Sequence, residues 1–125
     1  MKKIFPLFLF MCSCQSLTSK KEQLVKDIVD KDVNKQFYAI RDMGNSRDTF
    51  YIKYLMKDLD NQKTSYLWDF YGKTIYQVKL IALTQITGIE SPVPVTYKAD
   101  ERNVDFWKSK YPNYFSAHIN PSQSK

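Results

Sequence analysis

The sequence predicts an all-α fold, and three observations predict it. Apolar residues recur at steps of three and four from Leu24 onward. Glycines at 44 and 88 stand at the ends of such stripes, where helices close in the left-handed conformation. Asn45, Ser46 and Thr74, all good N-cap residues, stand just ahead of later stripes. In a chain of 125 residues, 43% hydrophobic and 26% charged, these features describe one small helical domain of ordinary globular composition.

The first helix is expected from Lys20 to near Gly44, with Leu24, Val25, Ile28, Val29, Val33, Phe37, Ile40 and Met43 on one stripe. Lysine, aspartate and glutamine fill its other face. Asn45 or Ser46 then caps a second helix, with Asp48 in its first turn. Ile52, Leu55, Met56 and Leu59 point inward there, and Phe50, Tyr51 and Tyr54 thicken the stripe. Residues 60–65 read as a polar turn. The aromatic run from Tyr66 to Tyr71 fits a short strand or an irregular packed segment, and the pattern does not choose between them.

Gly72-Lys73-Thr74 leads into a third helix, capped by Thr74 and ended by Gly88. Ile75, Val78, Ala82, Leu83 and Ile86 share a face that Leu80 and Ile81 broaden, so this helix is expected to be central and buried. Pro92 and Pro94 enforce an extended loop. Residues 100–110 form a last short helix carrying Val104, Phe106 and Trp107, stopped by Pro112. Residues 20–115 make up the domain, and 116–125 a polar, flexible tail.

The N-terminus carries a different signal. Lys2 and Lys3 precede an apolar run, Ile4 to Met11, too short to span a bilayer but suited to a signal peptide over residues 1–13. Met11-Cys12-Ser13-Cys14 resembles a lipobox, with Ser13 as the small residue before Cys14, the expected lipidation site. Met11 stands where leucine is usual, and Cys12 is an unusual neighbour. Plain secretion, with cleavage near Ser16, is the alternative. Residues 14–19 would be a tether to the membrane. Gln15 and Ser16 include no acidic inner-membrane retention residue, which gives a slight preference for the outer membrane of the cell envelope. Two or more acyl chains hold such an anchor stably where one does not. Both cysteines lie at this boundary, so the domain itself has no disulfide framework and rests on packing.

Further along, Ala82-Leu83-Thr84-Gln85-Ile86-Thr87-Gly88, the proline loop and Asn103-Val104-Asp105-Phe106-Trp107-Lys108 together resemble the end of HEAT-like helical repeat proteins. Met43-Gly44-Asn45-Ser46-Arg47-Asp48 is similar to the turn and helix start of such a unit, so the resemblance covers residues 43–111. Tyr111 stands where a second tryptophan is common, and no second copy of a repeat is present. The resemblance implies HEAT-like helix packing and an interaction scaffold, with no active-site residues to carry over.

Motifs for catalysis are sparse. The single histidine, His118, sits in the tail without a cysteine partner, and zinc ligands of the Cys/His type are lacking. The three glycines are too far apart for a phosphate loop. Asp27, Asp30 and Asp32 each lie near a lysine, as on a solvated helix face. Asp58-Leu59-Asp60-Asn61 lacks the glycine and closing glutamate of a calcium loop. The expectation is no metal, no cofactor and no catalytic residue. The formal charge of +6 falls by two when Lys2 and Lys3 leave with the signal, and the remainder is interspersed with acids, which argues against nucleic acid.

Aromatics are the better lead, with nine tyrosines, eight phenylalanines and two tryptophans. Most must be core, because each buries ~150–250 Å². Trp107 is expected inside. Trp68 and Tyr71 are the candidate partner-binding residues, with core packing as their more ordinary placement. The leading functional expectation is a membrane-anchored, non-enzymatic protein-interaction or accessory module. The alternatives are an envelope inhibitor of immunity type, a glycan-binding module using exposed aromatics, and an enzyme built on converging carboxylates.

Overall fold

The computed structural model describes residues 20–114. The expected signal and tether, with Cys14, and the expected tail with His118 lie outside the described residues. Helix α1 occupies 20–27, α2 Val33–Ser46, α3 Ile52–Leu55, α4 Ile75–Thr87 and α5 Glu101–Lys110. Short 3₁₀ turns, Thr49–Tyr51 and Trp68–Phe70, precede α3 and α4. The described chain is all-α: its only strand-like pairings are isolated bridges, Thr64 with Thr74 and Ser65 with Tyr71.

The long first helix expected from Lys20 to Gly44 is broken in two. Asp30 and Asp32 break it, because a short carboxylate competes with the helical hydrogen bonds of its own backbone. The Asp32 amide donates to Asp30 Oδ1 at 2.8 Å, and the Asn34 amide donates to Asp32 Oδ1 at 2.9 Å, capping α2. The stripe survives the break: Leu24, Ile28, Phe37, Ile40 and Met43 are all buried, while Val29, expected inward, lies in the turn and is exposed.

Helix α2 also runs past Gly44, ending at Arg47, whose φ of 56° supplies the left-handed cap. Asn45 and Ser46 are therefore not N-caps. Asp48 takes that role, accepting from the Phe50 amide at 2.9 Å. Gly44 instead sets how closely α2 approaches α4, since a Cβ there would stand 2.8 Å from Ala82 Cα and 2.9 Å from Ala82 Cβ. We expect Gly44→Ala to force the helices apart and cost about 1–3 kcal/mol, read as a lower denaturant midpoint.

Beyond α3, Met56 and Leu59 are buried as expected, but not as part of a continuous helix. Asp58 adopts a φ of 46°, turning the chain. The Lys57 carbonyl released there accepts a hydrogen bond from the Lys79 ammonium, reaching over from α4. Residues 61–63 then run beside the start of α4, with Ile75 N donating to Lys63 O at 2.9 Å and Tyr76 N to Asn61 O at 2.6 Å.

Helix α4 begins as its sequence predicts. Thr74 Oγ1 accepts from the Gln77 amide, and Gln77 Oε1 accepts from the Thr74 amide, a complete capping box. It ends at Gly88 with φ 74°. Ile75, Tyr76, Val78, Leu80, Ala82 and Leu83 are buried against α2 and its neighbours, whereas Ile81 faces out.

Helix α5 starts on Asp100, whose carboxylate accepts from the Arg102 amide. It holds the proline loop through two buried side chains. Asn103 Nδ2 donates to Tyr76 Oη at 3.0 Å and to Val93 O at 3.2 Å, while its Oδ1 accepts from Val93 N. Trp107 is fully buried, as expected, and its Nε1 donates to Ser91 Oγ at 2.9 Å. Tyr111 leaves the helix and stacks on Trp107. The buried apolar residues run from Leu24 to Trp107, so the chain from residue 20 onward contains the whole described core.

Candidate functional site: an aromatic loop pinned to the core

The stretch from Tyr66 to Tyr71, ambiguous in sequence, is part of an irregular packed loop from Thr64 to Thr74 rather than a strand. Three residues tie it down. The Ser65 hydroxyl is buried and donates to Asn34 Oδ1 at 2.8 Å while accepting from the Leu67 amide. Leu67 packs partly against the core. Phe70 is buried, 5.0 Å from the Phe37 ring and edge-on to Tyr38 at the same distance. The amides of Phe70 and Tyr71 close the 3₁₀ turn on the carbonyls of Leu67 and Trp68. Gly72, at φ 78°, then reverses the chain in a conformation a side chain would strain.

With Ser65, Leu67 and Phe70 facing in, the residues between them, and Tyr71 after them, face out. Tyr66 is 93% exposed, Trp68 94% and Tyr71 74%. The loop thus exposes both predicted contact residues, Trp68 and Tyr71, and adds Tyr66. The ordinary expectation of core packing fails for both. Phe70 takes the inward position instead, against Phe37 and Tyr38.

Charge frames the surface on the α2 side. Arg41 lies 4.8 Å over the Tyr38 ring and 3.7 Å from Asp69 Oδ2, while the Tyr38 hydroxyl donates weakly to the same oxygen at 3.4 Å. Chemically the surface offers flat apolar faces with polar tips, the indole N–H and two phenol hydroxyls. Such groups bind by contact and hydrogen bonding at low entropic cost, because each ring has few rotatable bonds.

The acidic residues weighed from sequence are placed differently. Asp27 accepts from Gln23, and Asp30 and Asp32 shape the α1–α2 turn. Asp58 and Asp60 lie near Lys79, where their charges partly offset its burial. Among the described residues no three of His, Cys, Asp or Glu gather where a metal could be held. Sequence reasoning missed Tyr66, whose exposure follows from its place between two inward residues. It also missed Lys79 and Asn103, both buried polar side chains in helices. The only available signal was their position on otherwise apolar faces: Lys79 sits inside Val78–Leu83, and Asn103 adjoins Val104, one turn before Trp107. No protein-family model, curated protein or solved structure matches the chain.

Proposed function

We propose that this chain is a membrane-anchored envelope lipoprotein whose helical domain is a non-enzymatic protein-interaction module, with Trp68 and Tyr71 at the contact surface. One observation carries the reading: three large aromatic side chains stand in solvent on a loop whose own fixing residues are buried. Exposing a tryptophan on a rigid scaffold forgoes ~1.5–3 kcal/mol of burial, and a partner that covers it recovers that energy with little ordering cost. The anchor half of the reading rests on Lys2, Lys3, the Ile4–Met11 run and the Ser13-Cys14 pair. The HEAT-like resemblance rests on the helix-end motifs around Gly88 and Trp107. An envelope enzyme blocked by the loop, as in the inhibitor reading, would use the same residues.

The test immobilises residues 20–125 and captures partners from detergent-solubilised envelope, with Trp68→Ala and Tyr71→Ala beside the parent. Both substitutions are expected to leave thermal unfolding unchanged, because neither side chain is buried. Trp68→Ala is expected to weaken retention of one stoichiometric protein by about 30-fold or more, the effect of a hot-spot residue. Equal retention by parent and variant would remove the loop from the interface. Elution by soluble glycan in place of a protein would favour sugar stacking. For the anchor, labelling with radioactive palmitate should vanish in Cys14→Ala.

A further inference from the structure

We propose that a second face, built on Val25, Phe50 and Tyr54, rests against an anionic lipid bilayer. These three residues, with Lys21, Glu22 and Lys26, line an apolar groove of about 430 Å³ between α1 and the turn leading into α3. Phe50 is 38% exposed there, although it is one of the larger apolar side chains of the domain.

What distinguishes this face is the arrangement of cations around its rings. Lys21 Nζ lies 5.1 Å from the Phe50 centroid, and Lys53 Nζ lies 5.0 Å from Phe50 and 5.2 Å from Tyr54. Lys57 Nζ lies 5.8 Å from Tyr54. Any surface that accepts the rings must therefore accept several ammonium groups at their rim. A headgroup plane with negative charge above hydrocarbon meets both demands: aromatic rings settle at such an interface and lysines bind its anionic lipids. Glu22 and Asp48 oppose this charge. Asp48 is paired with Lys21 at 3.3 Å, and the Phe50 amide holds its carboxyl below the usual range. Four lysines against two acids leave the face positive.

Its place in the fold fits the same occupant. Lys21, next to the first described residue, lines this groove, so the described chain begins beside it. From Cys14 to Lys20 the chain can span at most about 20 Å, so under the anchored reading the tether keeps this face close to the bilayer. The aromatic loop docks on Asn34, Phe37 and Tyr38 in the first turns of α2, whereas this face follows the other end of α2, beyond Asp48. One end of the domain thus meets lipid while the other presents Trp68.

The inference needs neither a lipid on Cys14 nor the Trp68 contact, so its test uses unlipidated residues 20–125, which contain the described core. Co-sedimentation with phosphatidylglycerol–phosphatidylcholine vesicles is compared with pure phosphatidylcholine. Binding is expected to the anionic vesicles only and to fall as salt is raised. Reversing an exposed lysine, in Lys53→Glu or Lys26→Glu, is expected to weaken it by about fivefold or more for each cation lost. Phe50→Ser is expected to weaken it further, and Trp68→Ala to leave it unchanged. Absence of binding, equal binding to neutral vesicles, or Lys53→Glu and Lys26→Glu binding like the parent would overturn the proposal, as would a protein held on this face in place of lipid.

Discussion

Trp107→Ala is expected to cost about 3–5 kcal/mol, enough to unfold much of the population of a domain this size. The ring is fully buried, edge-on to Phe106 at 5.4 Å and stacked on Tyr111 at 6.3 Å between centroids. Its indole N–H also holds Ser91, and through it the proline loop. Removing the ring leaves a cavity where three segments meet, so collapse to fill it is restricted. Denaturant unfolding checks this directly. Trp107→Phe separates the two contributions, because it keeps most of the packing and loses the hydrogen bond, for about 1–2 kcal/mol plus some packing. A loss below about 1 kcal/mol in Trp107→Ala would show that the ring does not close the core.

The second large effect is a pH dependence centred on Lys79. Burial lowers the pKa of its ammonium from 10.5 to about 8, against the opposing pull of Asp58 and Asp60 and with a small contribution from Lys57 in the same direction as burial. Between those values the unfolded chain binds a proton that the folded chain has released. Stability should therefore rise with pH across that window, by up to about 1.4 kcal/mol per unit and of order 3 kcal/mol in all. The rise should stop near pH 10, where the tyrosines begin to oppose it. Burial raises the pKa values of Tyr51 and Tyr111, so their unfolded forms ionise first and stability falls as pH climbs further. In Lys79→Met the upward slope between pH 8 and 10 should disappear, whatever the loss of the bond to the Lys57 carbonyl does to stability at neutral pH. A parent protein whose thermal midpoint is flat or falling from pH 8 to 10 would contradict the account.

The two sites show what the sequence makes legible and what it hides. Helices α4 and α5 are readable because local chemistry and tertiary packing agree there: Thr74 with Gln77 caps one, Gly88 ends it, and Asp100 starts the other. The break between α1 and α2 was hidden by an apolar stripe that continues through it, since Leu24, Ile28 and Phe37 share one core on either side of the turn. Only the carboxylates of Asp30 and Asp32 favour the break, and the same residues equally suit a solvated helix face. Gly44 misleads for a related reason. Glycine serves both as a helix end and as a close-contact position, and only the proximity of Ala82 decides between them. The aromatic loop was legible as a group of residues but not in its orientation. Which rings turn inward depends on Ser65 reaching Asn34 and Phe70 reaching Phe37, contacts that join residues about thirty positions apart.

Crosslinking in the cell is the most direct test that the exposed ring of Trp68 meets a protein. The full chain would carry a photoreactive side chain at position 68, and a control would carry it at position 81, where Ile81 also faces solvent but on α4. The account expects one discrete protein adduct from position 68 and none from position 81. Adducts to lipid alone, no adduct at all, or the same adduct from both positions would contradict it.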